Sequence, residues 1–155
     1  MGKVNVMTDS NSRSAVLQTT RLMSATPLQV YAAFENPEAL ATWWGPEGFT
    51  NSFRQFEFRP GGKWVFVMHG PNGVDYDNES VFRVLEPGSR IVIEHIAPPW
   101  FTLTVTLSPR GGQTLLTWEQ EFENADVAEK LGVICKPANE QNLDRLEAVL
   151  QGGLG

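Results

Sequence analysis

Four polar side chains occupy alternating positions that otherwise carry large apolar residues, and they are the strongest candidates for contact with a ligand. The positions that alternate on the apolar face of the predicted strands include Asn78, Ser80, His95 and Gln120. A buried polar group needs a hydrogen-bond partner, which protein, water or ligand can supply. His95 is the titratable member of the set, so it is the candidate for general acid–base catalysis. The alternative is that His95 ends a strand with its hydrogen bonds satisfied by the protein.

Other kinds of chemistry have no matching pattern in the sequence. His69 and His95 fall on opposite parities, and together with Cys135 they do not have the spacing of a metal site. No nucleophile elbow, glycine-rich phosphate loop or HExxH motif is present. We therefore expect neither a metal nor another cofactor. Cys135 suits a small apolar position on a helix, and His69, beside a turn, suits a solvated position.

The apolar positions around the polar candidates are the expected walls of a core or a cavity. From Phe49 to Phe122 the apolar pattern has a period close to two and is interrupted by glycine and proline turns, which is typical of an antiparallel meander. The inward parity carries Trp64, Phe66, Met68, Phe82, Ile93, Leu103, Val105 and Trp118. Each of these side chains also suits an ordinary core, but five tryptophans in one small domain favour a broad apolar cavity.

Two short helices are predicted between a first strand, Ala15–Met23, and the meander. Thr26-Pro27 and Asn36-Pro37 each place a capping side chain before a proline, which predicts helix starts. The second helix would end at Trp43-Trp44-Gly45-Pro46. Because adjacent residues on a helix point in different directions, we expect one tryptophan to be buried and the other to form part of a cavity rim.

The end of the chain has helical periodicity and is the expected cover for the sheet. Ala125–Cys135 and Ala138–Leu150 both have the pattern of a helix. Lys136-Pro137 is expected to kink or interrupt the run, because proline removes a helical hydrogen bond. The second stretch is amphipathic, so its apolar stripe would pack on the apolar face of the sheet.

Composition limits the class of protein. The 155 residues suffice for one domain, which we place at residues 14–151 after a polar, flexible tail at 1–13. A net charge of −6 argues against a nucleic-acid surface. A single cysteine and the lack of a long apolar run argue against a secreted disulfide protein and against membrane insertion. We therefore expect a cytoplasmic protein.

Several short motifs, taken in order, resemble the SRPBCC (START-like) superfamily. More narrowly, they are similar to bacterial proteins that resemble the C-terminal domain of the activator of heat shock protein 90 ATPase. The motifs are Arg21, Ala25–Tyr31, Trp43–Pro46, Pro60–Trp64, Met68–Gly73, Arg90–Val92 and Leu143–Leu146. The resemblance implies an α+β helix-grip fold, in which a curved antiparallel sheet of about seven strands wraps a long C-terminal helix and encloses a cavity.

One departure from the resembled pattern bears on that cavity. Relatives usually carry Gly-Trp early in the last helix, and this chain has Ala138-Asn139 there. If Asn139 takes the position of the tryptophan, it points toward the sheet and leaves more room than relatives have. The predicted ligand-binding set is therefore Trp44, Trp64, Phe66, Met68, Phe82, His95, Trp118, Gln120 and Asn139.

Three functions of different classes remain open from the sequence. The first is a binding module for an apolar molecule, such as a lipid or a polyketide-like compound. The second, which related folds suggest, is an enzyme of the cyclase or aromatase kind that uses His95. The third, implied by the resemblance, is a stress-response protein that acts on a chaperone through its surface. A homodimer is also expected, because Trp100 after Pro98-Pro99 has no assured place in the core.

Overall fold

Alternating side chains and glycine-containing turns give seven antiparallel strands in the computed structural model, which describes residues 14–152. The strands are β1 (Val16–Met23), β2 (Thr50–Phe56), β3 (Lys63–His69), β4 (Asp75–Glu86), β5 (Arg90–His95), β6 (Phe101–Arg110) and β7 (Gln113–Phe122). They form one sheet in the order β1-β7-β6-β5-β4-β3-β2, so β2 to β7 make a meander and β1 pairs with β7. The predicted α+β helix-grip architecture is confirmed.

Two short helices lie between β1 and β2, as the capping residues predict. α1 spans Pro27–Glu35 and α2 spans Pro37–Trp43. Thr26 forms a capping box with Gln29, and the Asn36 side chain accepts two backbone hydrogen bonds at the start of α2. These caps fix the register of α2 and therefore the place where its closing tryptophans lie.

A single long helix, α3 (Ala125–Gly152), packs on the inner face of the sheet. It continues through Pro137, so the interruption expected at Lys136-Pro137 is wrong. Proline deprives the carbonyl of Val133, four residues earlier, of its helical partner. Because Pro137 and Val133 are both exposed, water can bind this carbonyl and the helix continues without an unpaired buried group.

The C-terminal turns of α3 are packed tightly against the sheet and against α1 and α2. Leu143 and Leu146 are fully buried there, in one cluster with Trp43 and Trp64. At the outer side, the Arg21 guanidinium of β1 reaches the carboxylates of three α3 residues, Glu140, Asp144 and Glu147. These contacts fix the helix on the sheet, so its middle turns have a defined height above the strands.

The predicted tail, residues 1–13, lies outside the described residues, and the limits of the single domain at 14–151 stay a prediction. Among residues 14–152, no helix is long and apolar enough to cross a membrane.

Candidate functional site

The middle turns of α3 leave a hollow against the sheet. A cavity of about 780 Å³ lies there, which is within the range of small-molecule sites. Its walls are Trp44, Gly45, Pro46, Phe49, Phe66, Met68, Asp75, Tyr76, Asp77, Asn78, Ser80, Ile93, His95, Pro98, Pro99, Phe101, Leu103, Trp118, Gln120, Ile134, Cys135, Ala138, Asn139 and Asn142. The exposed members of this set lie at the start of β4, in the β5–β6 connection and at Ile134 of α3, so the mouth is among these three segments.

Seven of the nine predicted ligand-binding residues line this cavity. They are Trp44, Phe66, Met68, His95, Trp118, Gln120 and Asn139. Trp64 and Phe82 do not line it, because they lie one step further along their strands, within the packed cluster under Leu143. Trp64 stacks on Phe66 with ring centroids 4.3 Å apart, so it supports a wall residue from behind.

The two adjacent tryptophans divide as their helical positions predict. Trp43 is fully buried and donates its indole N–H to the carbonyl of Ala33, whereas Trp44 is half-buried and lines the cavity. The rings of Trp44 and Trp118 are 5.9 Å apart between centroids. Trp44 therefore forms an aromatic wall at the end of α2, together with Gly45 and Pro46.

His95 is buried in the cavity wall at the end of β5. Its Nδ1 lies 2.9 Å from the carbonyl oxygen of Pro99, and its Nε2 lies 2.7 Å from Oδ1 of Asn78. The ring stacks on Phe101 at 4.5 Å between centroids. Burial lowers the pKa of His95 below its ordinary value, and the carbonyls of Pro99 and Ala97 oppose that shift only in part.

This geometry limits what His95 can do chemically. Both ring nitrogens already face protein acceptors, and Asn78 is itself held by a hydrogen bond from its Nδ2 to the carbonyl of Tyr76. A general base needs a nitrogen within hydrogen-bond reach of the substrate proton. Each nitrogen is thus covered by a protein oxygen, so catalysis by His95 would require one of these two contacts to open.

A second polar group lies on the other side of the cavity, between β7 and α3. Asn139 donates from Nδ2 to Oε1 of Gln120 at 3.0 Å. Asn142, which the sequence reasoning missed, accepts from the backbone N–H of Gly45 at 3.1 Å. Within residues 14–152, Gln120 Nε2, Asn142 Nδ2 and the hydroxyl of Ser80 have no hydrogen-bond partner. Gln120, Asn142 and Ser80 are at most 6% exposed, so these are buried polar groups beside a hollow.

The helical stripe that faces the cavity could have been found from spacing. Cys135, Ala138, Asn139 and Asn142 are separated by three, one and three residues, and all four line the cavity. This is the inward stripe of α3 continued backward from Leu143 and Leu146. Its residues are small or polar where the later turns carry leucine, and this difference is what makes the hollow.

Arg145 fixes the rim, and no role could be assigned to it from the sequence. Its guanidinium donates to five backbone carbonyls in the last turn of α2 and in the segment between α2 and β2, those of Thr42, Trp44, Gly45, Pro46 and Phe49. The same segment turns at Gly45, whose φ of +99° favours glycine. A Cβ there would also lie 2.7 Å from Cε of Met68, so glycine lets the rim approach the cavity floor.

The other histidine belongs to a separate hydrogen-bonded chain on the outer face of the sheet. His69 Nε2 lies 2.7 Å from Oγ of Ser52, and its Nδ1 lies 2.7 Å from Oδ1 of Asp75. The three residues connect the edge strand β2 to β3 and β4. His69 is partly exposed, as expected beside a turn, and no group of metal-ligating side chains occurs among residues 14–152.

Comparison with known sequences and structures agrees with this geometry. The sequence model of the family described as "Activator of Hsp90 ATPase homolog 1-like protein" (AHSA1) matches residues 24–151. No curated protein sequence is similar to the chain at a significant level.

Solved structures share the whole fold. A crystal structure from Chromobacterium violaceum is 27% identical, with a TM-score of 0.77 over 86% of this chain and 95% of its own. A solution structure from Arthrobacter aurescens is 24% identical, with a TM-score of 0.83 over 92% and 89%. The AHSA1 protein from Silicibacter pomeroyi is 18% identical, with a TM-score of 0.71 over 88% and 97%. At these identities, the latter two support the fold alone.

Proposed function

Because this chain belongs to the AHSA1 family of Activator of Hsp90 ATPase homolog 1-like proteins and has a hollow helix-grip fold, we propose that it binds an apolar small molecule in the cavity between sheet and helix. The proposed ligand is lipid- or polyketide-like, with one polar end. The single observation that carries the proposal is the cavity of about 780 Å³.

The composition of the walls supports an apolar guest. Aromatic and aliphatic side chains from five strands and α3 surround the hollow, together with Trp44 at the end of α2. Burial of apolar ligand surface contributes about 25 cal/mol per Å², before the cost of immobilising the ligand. An apolar molecule that fills such a cavity therefore has a source of affinity without any ion pair.

The polar residues support one oriented end. Gln120 and Asn139 are hydrogen-bonded to each other and line one side of the hollow, and His95 lines the opposite side. Buried polar groups with remaining hydrogen-bonding capacity favour a ligand that supplies a partner. The proposed roles are thus contact with the ligand oxygen for Gln120 and Asn139, and a polar wall for His95.

The enzyme alternative has one observation in its favour, which is that His95 lines the cavity. Both ring nitrogens are engaged by the protein, however, and no nucleophile or second titratable group is hydrogen-bonded to the ring among residues 14–152. Binding requires no rearrangement of His95, whereas cyclase- or aromatase-like chemistry does. We therefore favour binding over catalysis.

The proposed partners follow the same reasoning. A homodimer stays a proposal, supported by exposed Trp100, Val133 and Ile134, and light scattering at high concentration tests it: a monomer mass would contradict it. Action on a chaperone in a stress response is the surface alternative suggested by the family's description. A cytoplasmic location is proposed with it, on the grounds of the single cysteine.

A fluorescence titration tests the binding proposal directly. N-phenyl-1-naphthylamine is a neutral dye that brightens when it leaves water, and binding beside Trp44 and Trp118 should quench tryptophan emission by energy transfer. We expect saturable brightening together with tryptophan quenching, both reversed by an excess of unlabelled apolar competitor. Absence of saturable binding by the folded protein would refute the proposal and favour action through the surface.

A further inference from the structure

The cavity offers no positively charged side chain to a ligand, because no lysine or arginine lines it within residues 14–152. Asp75 and Asp77 lie beside the mouth, but their register with His69 and Val67 places their side chains on the outer face of the sheet. The guanidinium on the rim, that of Arg145, is occupied by backbone carbonyls. A ligand that enters the cavity therefore meets no lysine or arginine that could pair with an anionic group.

His95 does not supply the missing cation. Its burial beside Phe101 lowers its pKa and so disfavours the charged form of the ring. Placing a carboxylate, sulfonate or phosphate in this cavity would leave a charge without a partner, and desolvation makes that costly. Fatty acids and other anionic lipids are thus poorly matched to the site.

The unused hydrogen-bonding groups are matched to an uncharged oxygen. Gln120 Nε2, Asn142 Nδ2 and the Ser80 hydroxyl can each donate, and they reach the hollow from β7, α3 and β4. Neutral amide and hydroxyl donors bind a carbonyl or hydroxyl oxygen well. Asn139 Oδ1, which also has no partner among the described residues, can accept from a ligand hydroxyl.

We infer that the cavity selects uncharged apolar molecules that carry a carbonyl or hydroxyl oxygen, and that it rejects anions, including free fatty acids. This inference rests on the proposed function, since it specifies the class of ligand for the same cavity. The juxtaposition that carries it is an interior with several buried amide and hydroxyl groups and with no lysine or arginine side chain from residues 14–152.

Two dyes with the same ring skeleton test the charge selection. N-phenyl-1-naphthylamine is neutral, and 8-anilino-1-naphthalenesulfonate adds one sulfonate to it. We expect the neutral dye to bind at least tenfold more tightly at low ionic strength. Equal or tighter binding of the sulfonate would overturn the inference while leaving the binding function intact, whereas failure of both dyes to bind would overturn the binding function and this inference with it.

A different dye tests the hydrogen-bond donors. The ketone dye 6-propionyl-2-dimethylaminonaphthalene carries a carbonyl, and its emission shifts to the red when that oxygen accepts a hydrogen bond. We expect red-shifted emission in the unchanged protein, and a blue shift with at least fivefold weaker binding in Gln120→Met. The same emission in both proteins would show that Gln120 does not contact the oxygen and would overturn this part of the inference.

Discussion

The interface between α3 and the sheet is built in the same way at both ends, but side chains fill the space at one end only. Under the C-terminal turns of α3, the inward side chains are large and apolar, such as Leu143, Leu146 and Phe82, and they fill the space. Under the middle turns, the inward side chains are small or polar, such as Ala138 and Asn139, and a cavity remains. The fold therefore separates a packed, stabilising end from an end that holds the cavity and is the proposed binding end.

The same gradient runs along individual strands. On β4 the inward positions change from Phe82 through Ser80 to Asn78, and on β7 they change from Leu116 through Trp118 to Gln120. β7 thus runs from the packed core to the polar part of the cavity wall, and the antiparallel β4 runs the opposite way. Substitutions on either side of this boundary should have different consequences.

The largest expected effect is loss of stability at the filled end. Leu143→Ala should lower the free energy of unfolding by about 3 kcal/mol, because it removes a fully buried side chain and leaves a void. Asn139→Ala, one turn earlier on the same stripe, removes one hydrogen bond beside an existing hollow and should cost about 1 kcal/mol. Urea denaturation measures both, and equal losses would contradict the division into two ends.

The next effect concerns the two arginines that fix α3. Arg145→Met keeps the apolar stem but removes the guanidinium donor from five backbone carbonyls, of which those of Trp44 and Pro46 keep another donor, so it should cost about 2 kcal/mol. Arg21→Met removes ion pairs with three partly or largely exposed carboxylates and should cost about 1 kcal/mol or less. Thermal unfolding at matched pH compares them, and a larger loss for Arg21→Met would show that the rim is not held by Arg145.

Much of the fold could be predicted from the sequence because alternation and turn residues are local signals. The strands, the two capped helices and the cover helix all follow from patterns within about ten residues. Pro137 was the exception, because the effect of a proline depends on whether the carbonyl it frees is buried, and exposure of Val133 is a property of the assembled fold.

The candidate site was only partly predictable, for a physical reason. Alternation along a strand tells which face a side chain occupies, so it predicts that His95, Gln120 and Trp118 face the helix, and there they line the cavity. It does not tell how far along the strand the cavity ends, so Trp64 and Phe82 were included with them although they belong to the packed core. The contacts of Arg145 and Asn142 with the rim join residues about 100 positions apart and leave no local trace.

Filling the hollow should convert the binding end into a second stabilising end. Asn139→Trp places a large aromatic side chain in the cavity beside Gln120. We therefore expect dye affinity to fall at least tenfold, while the free energy of unfolding stays equal or rises. Val133→Trp adds the same side chain at an exposed position of α3 outside the cavity lining and should leave affinity within a factor of two. Unfolding of the Asn139→Trp variant would show that position 139 is already packed.

The smallest expected effect is a pH dependence that arises at the binding end. Burial lowers the pKa of His95 in the folded protein, whereas an unfolded histidine titrates near its ordinary pKa of about 6.5. Between these two pKa values the unfolded chain binds a proton that the folded chain does not. The contribution of neutral His95 to stability is therefore fully present above about pH 6.5 and is lost as the pH falls through the lower, folded-state pKa.

Two variants separate this effect from general acid destabilisation. His95→Gln should flatten the decline in unfolding free energy between neutral and mildly acidic pH. His69→Gln alters the partly exposed histidine of the outer face and should retain the part of this decline that comes from His95. Titration of the imidazole proton resonances of His95 should give a pKa below the ordinary value. A ligand bound in the cavity should lower it further, because a bound apolar molecule excludes water from the ring and disfavours the charged form. Two results would contradict the placement of His95 in a part of the cavity wall that is shielded from water. One is a His95 pKa at or above the ordinary value, and the other is a His95 pKa that does not change at saturating dye.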